Sequence, residues 1–437
     1  MENKIIIFWF RRDLRLEDNV GLQKALASGY PVLPLFIFDT DILSRLDSTY
    51  DRRVDYIHHS LQAINSQLHV SGSTLHTFRG SPKDIFEKLI QTHQVQAVYC
   101  NRDYEPYANE RDIAVAQLLN KKGIAFYDFK DQVIFDRAEV IKSNGEPYTV
   151  FTPYAKKWRE NLNAASLTPM NGDVNNFWKE TATDIISLEV MGFEKTDLKF
   201  EAPALPLDII KNYGLNRNFP AMDHTTHLGI ALRFGTISIR HCVSIALQYN
   251  DTWLSELIWR EFFMQILYHF PRVVNNSFKP QYDHIQWRNN ESEFNLWCEG
   301  KTGYPIVDAG MRQLNQTGFM HNRVRMVTAS FLCKHLLIDW RWGEAYFAAK
   351  LNDYDLSANN GNWQWAASTG CDAAPYFRIF NPTIQTTKFD KDLKYIRRWN
   401  PDFEHNPIEP IVIHEVARKR ALEIYKRGLD SERARMT

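Results

Sequence analysis

Two uninterrupted apolar runs stand near the start of the chain, residues 5–10 (IIIFWF) and 32–38 (VLPLFIF). A strand with one wet face alternates apolar and polar residues. A strand apolar at every position must be covered on both faces, which happens when crossover helices pack on both sides of a parallel sheet. Residues 95–99 and 124–127 continue the series, and the amphipathic stretches 56–68 and 84–93 supply helices between them. Residues 1–130 are therefore expected to form an α/β domain with a doubly wound parallel sheet. The turn after the first run is Arg11-Arg12-Asp13-Leu14-Arg15. It has neither Gly-x-Gly-x-x-Gly nor Gly-Lys-Ser/Thr, so a dinucleotide is not expected to sit there in the usual way.

Residues 131–200 read as a long connector, with a turn signal at Asn144-Gly145-Glu146-Pro147 and an Asn- and Thr-rich stretch at 170–184. From 201 the patterns turn helical, as at 225–234, 254–270 and 322–339. An all-α domain is expected over 201–437. A chain of 437 residues is long enough for two or three domains.

Composition narrows the function classes. Lys+Arg and Asp+Glu both number 52, so a polyanion would have to be held by a local basic patch. Residues 201–437 carry 28 basic against 25 acidic side chains, which permits such a patch on the helical part. No apolar run approaches 18 residues, which argues against a membrane span. The N-terminus reads directly into a strand with no signal-peptide pattern. Cys100, Cys242, Cys298, Cys333 and Cys371 are scattered and never form a CxxC pair, so neither a disulfide framework nor a metal site is expected. A reducing cytoplasm fits.

Twelve tryptophans are many, and nine of them follow residue 200. Packing accounts for most. Three stretches ask for more. In DTWLSELIWREF, Trp253, Glu256, Trp259 and Arg260 lie at helical neighbour spacings. The plain reading is an exposed ion pair beside a core indole; the functional one is a carboxylate, an indole and a guanidinium on one cavity wall. In GFMHNRVRM, Asn322 and Met326 share a helix face while Arg323 and Arg325 diverge. An amide and a thioether on one face suit a flat ligand. In DYDLSANNGNWQW, Trp363 and Trp365 differ by about 200° in direction on a helix, so one can face the interior and the other a cavity.

These stretches carry a resemblance. SELIWREF, EGKTGYPIVDAGMRQLNQTGFMHNRVRM, LLIDWRWGE and NNGNWQWAASTGCDAAPYFRIFNPTIQ, with FWFRRDLRLEDN and PYTVFTPYAKKW, resemble the photolyase/cryptochrome family. The likeness is to the class I cyclobutane pyrimidine dimer photolyases and covers nearly the whole chain.

The resemblance implies a helical domain holding FAD, active when reduced. Tyr213, Thr225, Thr226, His227, Leu228 and Gly229 match the segment that holds its phosphates and ribityl chain. Trp253, Arg260, Asn322, Asp353 and Asp355 match other flavin-contacting positions, and Arg325 would pair with Asp353 over the ring system. Asn359 matches the residue facing flavin N5. Trp363, Trp340 and Trp287 match a three-tryptophan relay, with Trp363 innermost and Trp287 nearest solvent. Glu256, Trp259, Asn322, Met326 and Trp365 match the walls of a cavity for a flipped-out lesion. Arg217, Arg323, Arg378 and Lys388 would hold phosphates around it.

The implied activity is light-driven repair of cyclobutane pyrimidine dimers in UV-damaged DNA, double- or single-stranded, by a monomeric carbon–carbon lyase. Relatives that repair the (6-4) lesion have His at the positions of Asn322 and Met326, which disfavours that activity here. The alternative is a cryptochrome-type blue-light sensor without repair. Asn359 and the expected lack of a long C-terminal extension favour repair. Asn109 and Glu110 resemble a segment that contacts an antenna chromophore, methenyltetrahydrofolate in some members; 8-hydroxy-5-deazaflavin serves others.

Overall fold

The computed structural model describes residues 4–170 and 176–436; residues 171–175 of the Asn- and Thr-rich stretch lie outside them. Two compact units emerge. The first comprises the chain up to Glu139, Trp158–Leu205 and His227–Gln248; the second comprises Val140–Lys157, Pro206–Thr226 and the chain from Tyr249 on.

The first unit is built on five parallel strands, β1 (Lys4–Phe10), β2 (Val32–Asp39), β3 (His76–Gly80), β4 (Gln94–Asn101) and β5 (Ala125–Phe129), in the order β3-β2-β1-β4-β5. β1 shows why an all-apolar run was needed. Its alternate side chains feed two cores: Ile6, Phe8 and Phe10 join one, and Ile5, Ile7 and Trp9 join the other. Each such buried side chain stabilises the fold by roughly 1.5–3 kcal/mol. Helices α1 (Val20–Leu26), α2 (Arg52–Val70), α3 (Pro82–Thr92) and α4 (Pro106–Asn120) make the crossovers. Asn19 and Asp51 cap α1 and α2 by accepting from backbone N–H groups, and proline opens α3 and α4.

Several sequence expectations change. β3 was not anticipated, because HTFRG is a short, half-exposed edge strand with little apolar content. The breaks expected at 130 and 200 differ from the observed division. Part of the connector forms helix α5 (Phe151–Asn161), and residues 140–157 belong to the second unit. The remainder returns to the sheet, where the Trp178 N–H donates to the Val32 carbonyl at 2.8 Å. Residues 227–248, expected in the helical domain, belong to the first unit. Within the expected helix 225–234 only Gly229–Phe234 is helical, and His227 sits at φ 51° in the left-handed region.

The second unit is helical. The elements that build its site are α6 (Asp251–His269), α7 (Asn322–Ser330), α8 (Trp340–Lys350), α9 (Leu356–Ala367) and α10 (His414–Met436). The helix expected over 322–339 is shorter: α7 stops at Ser330, a five-residue π turn Phe331–His335 follows, and Leu337 turns the chain at φ 52°. The core gathers Trp297, Val324, Phe331, Trp340, Phe347 and Trp363. α6 lies tight on α9, because a Cβ at Gly361 would stand 2.1 Å from the Phe263 ring.

Candidate active site

α9 positions the richest part of the site. Asp355 caps it, its carboxylate accepting from the Ala358 N–H at 3.1 Å and from the Ser357 hydroxyl. Trp363 and Trp365 then diverge as helix geometry requires. Trp363 is 2% exposed and Trp365 is half-buried. Both line a cleft of about 580 Å³, open mouth included, together with Asn322, Met326, Asp353 and Asn359. Asn322 and Met326 reach it from one face of α7. Arg325, also on the cleft wall, forms an ion pair with Asp353 at 2.9 Å and donates to the Met320 carbonyl at 2.7 Å. Arg323 turns the other way, donating to Asn218 Oδ1 at 2.6 Å and lying over the Phe389 ring. Burial, with Arg217 nearby, holds its pKa below the usual guanidinium value.

Asn359 donates its amide to Glu344 Oε1 at 2.8 Å and to the Glu344 carbonyl at 3.1 Å. Both donor hydrogens are engaged, so Oδ1 is the atom left for a ligand. Burial raises the Glu344 pKa, and the Asn359 hydrogen bond opposes the rise. Sequence reasoning missed Glu344. It lies on α8, fifteen residues from Asn359, and no spacing rule joins them.

The three expected relay tryptophans are graded in burial: Trp363 and Trp340 are 2% and 1% exposed, and Trp287 is half-buried. Trp363 leans on α8 at Gly343, three residues from Trp340. Trp287 meets Tyr425 of α10 edge-on at 5.8 Å.

α6 carries a second group. Trp253 is buried at its first turn, and Glu256, Trp259 and Arg260 are half-buried. Glu256 accepts from Arg217, which also lies 5.8 Å from the centroid of the Tyr213 ring. Burial and the Glu256 charge raise the Tyr213 pKa. None of these residues lines the cleft itself; the Asn218–Arg323 hydrogen bond joins their segment to α7. Asn218 was not anticipated either. Arg378 is exposed next to Phe377, which is 62% exposed, and exposed Lys388 lies 5.3 Å from the centroid of the Phe389 ring.

The remaining expected residues are not among those that line the cleft. Thr225 and Thr226 are half-buried in the second unit, whereas His227, Leu228 and Gly229 belong to the first. Asn109 donates its amide to the Glu105 carbonyl within α4, and Glu110 is exposed. The five cysteines are free, and no cluster able to hold a metal ion occurs among the described residues.

Two family models match this chain: "DNA photolyase" over residues 6–171 and "FAD binding domain of DNA photolyase" over residues 253–429. The chain belongs to the DNA photolyase family. It is 38% identical to the deoxyribodipyrimidine photo-lyase of Synechococcus sp., covering 94% of this chain and 90% of that one. A class III photolyase from Agrobacterium tumefaciens superposes with a TM-score of 0.86 at 33% identity, covering 98% of both chains. An archaeal photolyase from Sulfolobus tokodaii, described with two FAD molecules, superposes at 0.81 and 34% identity, covering 97% of this chain and 99% of that one.

The cleft suits a flavin on its own chemistry. A flat heteroaromatic ring needs apolar faces and hydrogen-bonding edges. Met326, Ala329, Phe347 and Ala366 provide the first, and Asn322, Asn359 and the Arg325–Asp353 pair provide the second.

Proposed function

We propose that this photolyase reverses cyclobutane pyrimidine dimers in UV-damaged DNA under light. The observation that carries the reading is the convergence of Asn359, Trp363, Trp365 and the Arg325–Asp353 pair on one cleft in a chain of this family. Bound in its reduced form, FAD supplies the light-driven electron that opens the cyclobutane ring and recovers it afterwards, with no net redox change.

The protein's own residues do the rest. Exposed Arg378 and Lys388 take up backbone phosphates, so binding weakens with salt. The lesion leaves the duplex at low unstacking cost, because damaged bases stack poorly. Trp259 and Trp365 then hold the pyrimidines by stacking, and Met326 packs against them. Glu256 is held by Arg217 through Oε1, which leaves Oε2 to accept from a base edge. Asn359, oriented by Glu344, keeps a neutral amide where a carboxylate would repel an anionic ring. Trp287, Trp340 and Trp363 relay electrons inward from the half-buried end.

A light-harvesting second chromophore is the finer part of this reading. Asn109 donates one amide hydrogen to Glu105 within its own helix, and Oδ1 and the second hydrogen face outward from that bond as the groups for the antenna role. A cleft of about 730 Å³, open mouth included, beside the ends of β2 and β3 and lined by Leu43, Leu46, Arg79 and Phe193, is a second candidate in the first unit. No helix among the described residues is long and apolar enough to cross a membrane. A chromosomal DNA substrate fits a cytoplasmic protein that joins the nucleoid, and the reading takes it to act as a monomer.

The test is light-dependent loss of the dimer from a defined oligonucleotide with reduced, FAD-loaded protein. Repair by the wild type and its collapse in Glu256→Ala and Trp365→Ala are expected. Binding and flavin photoreduction without repair would sink the lyase reading and leave the blue-light sensor.

A further inference from the structure

The Phe151 and Trp259 rings lie parallel within 6°, their centroids 3.7 Å apart. Aromatic pairs prefer offset or edge-to-face arrangements at 4.5–7 Å, so the surroundings must hold so full an overlap in place. They do so from three sides. Asp372 Oδ2 accepts from the Phe151 N–H at 3.0 Å, fixing the first residue of α5. Phe262 meets both rings edge-on, at 5.9 Å from Phe151 and 5.6 Å from Trp259. Tyr154, one turn along α5, packs on Phe262 at 5.2 Å, and its hydroxyl donates to Glu261 Oε1 at 3.4 Å.

We propose that Phe151 is a positioning residue for lesion recognition: it covers one face of Trp259 and so fixes the indole plane that the flipped pyrimidine meets, with Asp372 holding the Phe151 backbone in place. The inference rests on the reading of Trp259 as a wall of the lesion cavity. A base arriving on the half-buried indole meets a ring already held by Phe151, Phe262 and Phe263, the last tilted by 31° at 5.4 Å. The indole plane is set before the base arrives, so no ordering cost falls on binding. Asp372 also lies six residues before Arg378, so one loop fixes the stacking platform and carries a phosphate contact. Phe151 itself comes from the segment read from the sequence as a connector, far along the chain from Trp259.

The experiment compares FAD-loaded wild type, Phe151→Ala, Phe151→Leu, Phe151→Tyr and Trp259→Ala. It measures Kd for a dimer-containing and an undamaged oligonucleotide, and repair per absorbed photon at saturating DNA. Phe151→Ala is expected to weaken lesion binding about tenfold, because the indole loses the ring that sets its plane for stacking. Binding of undamaged DNA, the flavin spectrum and repair per photon should stay unchanged. Phe151→Tyr restores the ring and should restore affinity. Phe151→Leu keeps the bulk without the flat face and should stay weak; it decides the matter if Phe151→Ala does not fold. Wild-type lesion affinity in Phe151→Leu, or an equal loss for undamaged DNA, overturns the proposal. Trp259→Ala separates the two levels. If it binds the lesion normally, the reading of Trp259 falls and the inference with it. If it binds weakly while the Phe151 variants do not, only the inference falls.

Discussion

Replacing Gly343 by alanine tests how tightly Trp363 is held. Gly343 lies in α8 with ordinary helical φ, so the backbone itself would welcome a Cβ, and helix propensity alone favours alanine by about 1 kcal/mol. The surroundings oppose it. The added carbon would stand 2.1 Å from Trp363 Cη2, 2.4 Å from Cζ3 and 2.6 Å from Leu332 Cδ2. Ordinary contact begins at 3.4 Å, so ring and helix must part by 1.3 Å. An indole cannot bend to relieve this, and Trp363 is packed edge-on by Phe347 at 4.9 Å and Trp297 at 6.2 Å. Overpacking of this kind costs about 1–3 kcal/mol, here toward the upper end. The net expectation is a loss of about 1–2 kcal/mol after the propensity gain, read by denaturant unfolding of the FAD-loaded protein. Displacing Trp363 should also slow light-driven flavin reduction, with Trp363→Phe as the reference. A variant as stable as wild type, with unchanged photoreduction, would refute the reasoning.

Other expectations follow from charge. The folded protein holds the Glu344 proton more tightly than the unfolded chain, so stability should fall as pH rises above the ordinary carboxyl value of 4.5; Glu344→Gln should flatten that stretch of a stability–pH curve. Lys334 is fully buried, with Nζ donating to the Ser368 hydroxyl at 2.7 Å, and burial lowers its pKa from 10.5 to about 7. The folded state binds fewer protons than the unfolded one between those values, so stability should rise with pH there, by at most about 1.4 kcal/mol per unit, and Lys334→Met should remove the slope in melts from pH 7 to 9. Arg378→Ala should reduce the slope of log affinity against log salt by about 0.9 for duplex DNA, measured with damaged and undamaged oligonucleotides alike. An unchanged slope would take Arg378 off the phosphate path.

Much of this protein was legible in its sequence, because some constraints are local. An apolar run at every position of 5–10 demands a covered strand, and β1 divides its side chains between two cores. Helical spacing alone sets Asn322 with Met326 on one face, as the cleft shows, and gives Trp363 and Trp365 different burial although both reach that cleft. The long motifs carried the family, and with it the Arg325–Asp353 pair. Other features depend on where distant segments meet. The edge strand β3 has too few apolar residues to announce itself and exists because β2 offers it a free ladder. Residues 227–248 pack with the sheet unit although their pattern is helical. The partners that tune the site, Glu344 for Asn359, Arg217 for Glu256 and Phe151 for Trp259, come from other elements. Periodicity reports which face a side chain takes, since that follows from backbone geometry. It cannot report what will be opposite, because burial energy depends on the whole packed arrangement, and only the tertiary structure decides that.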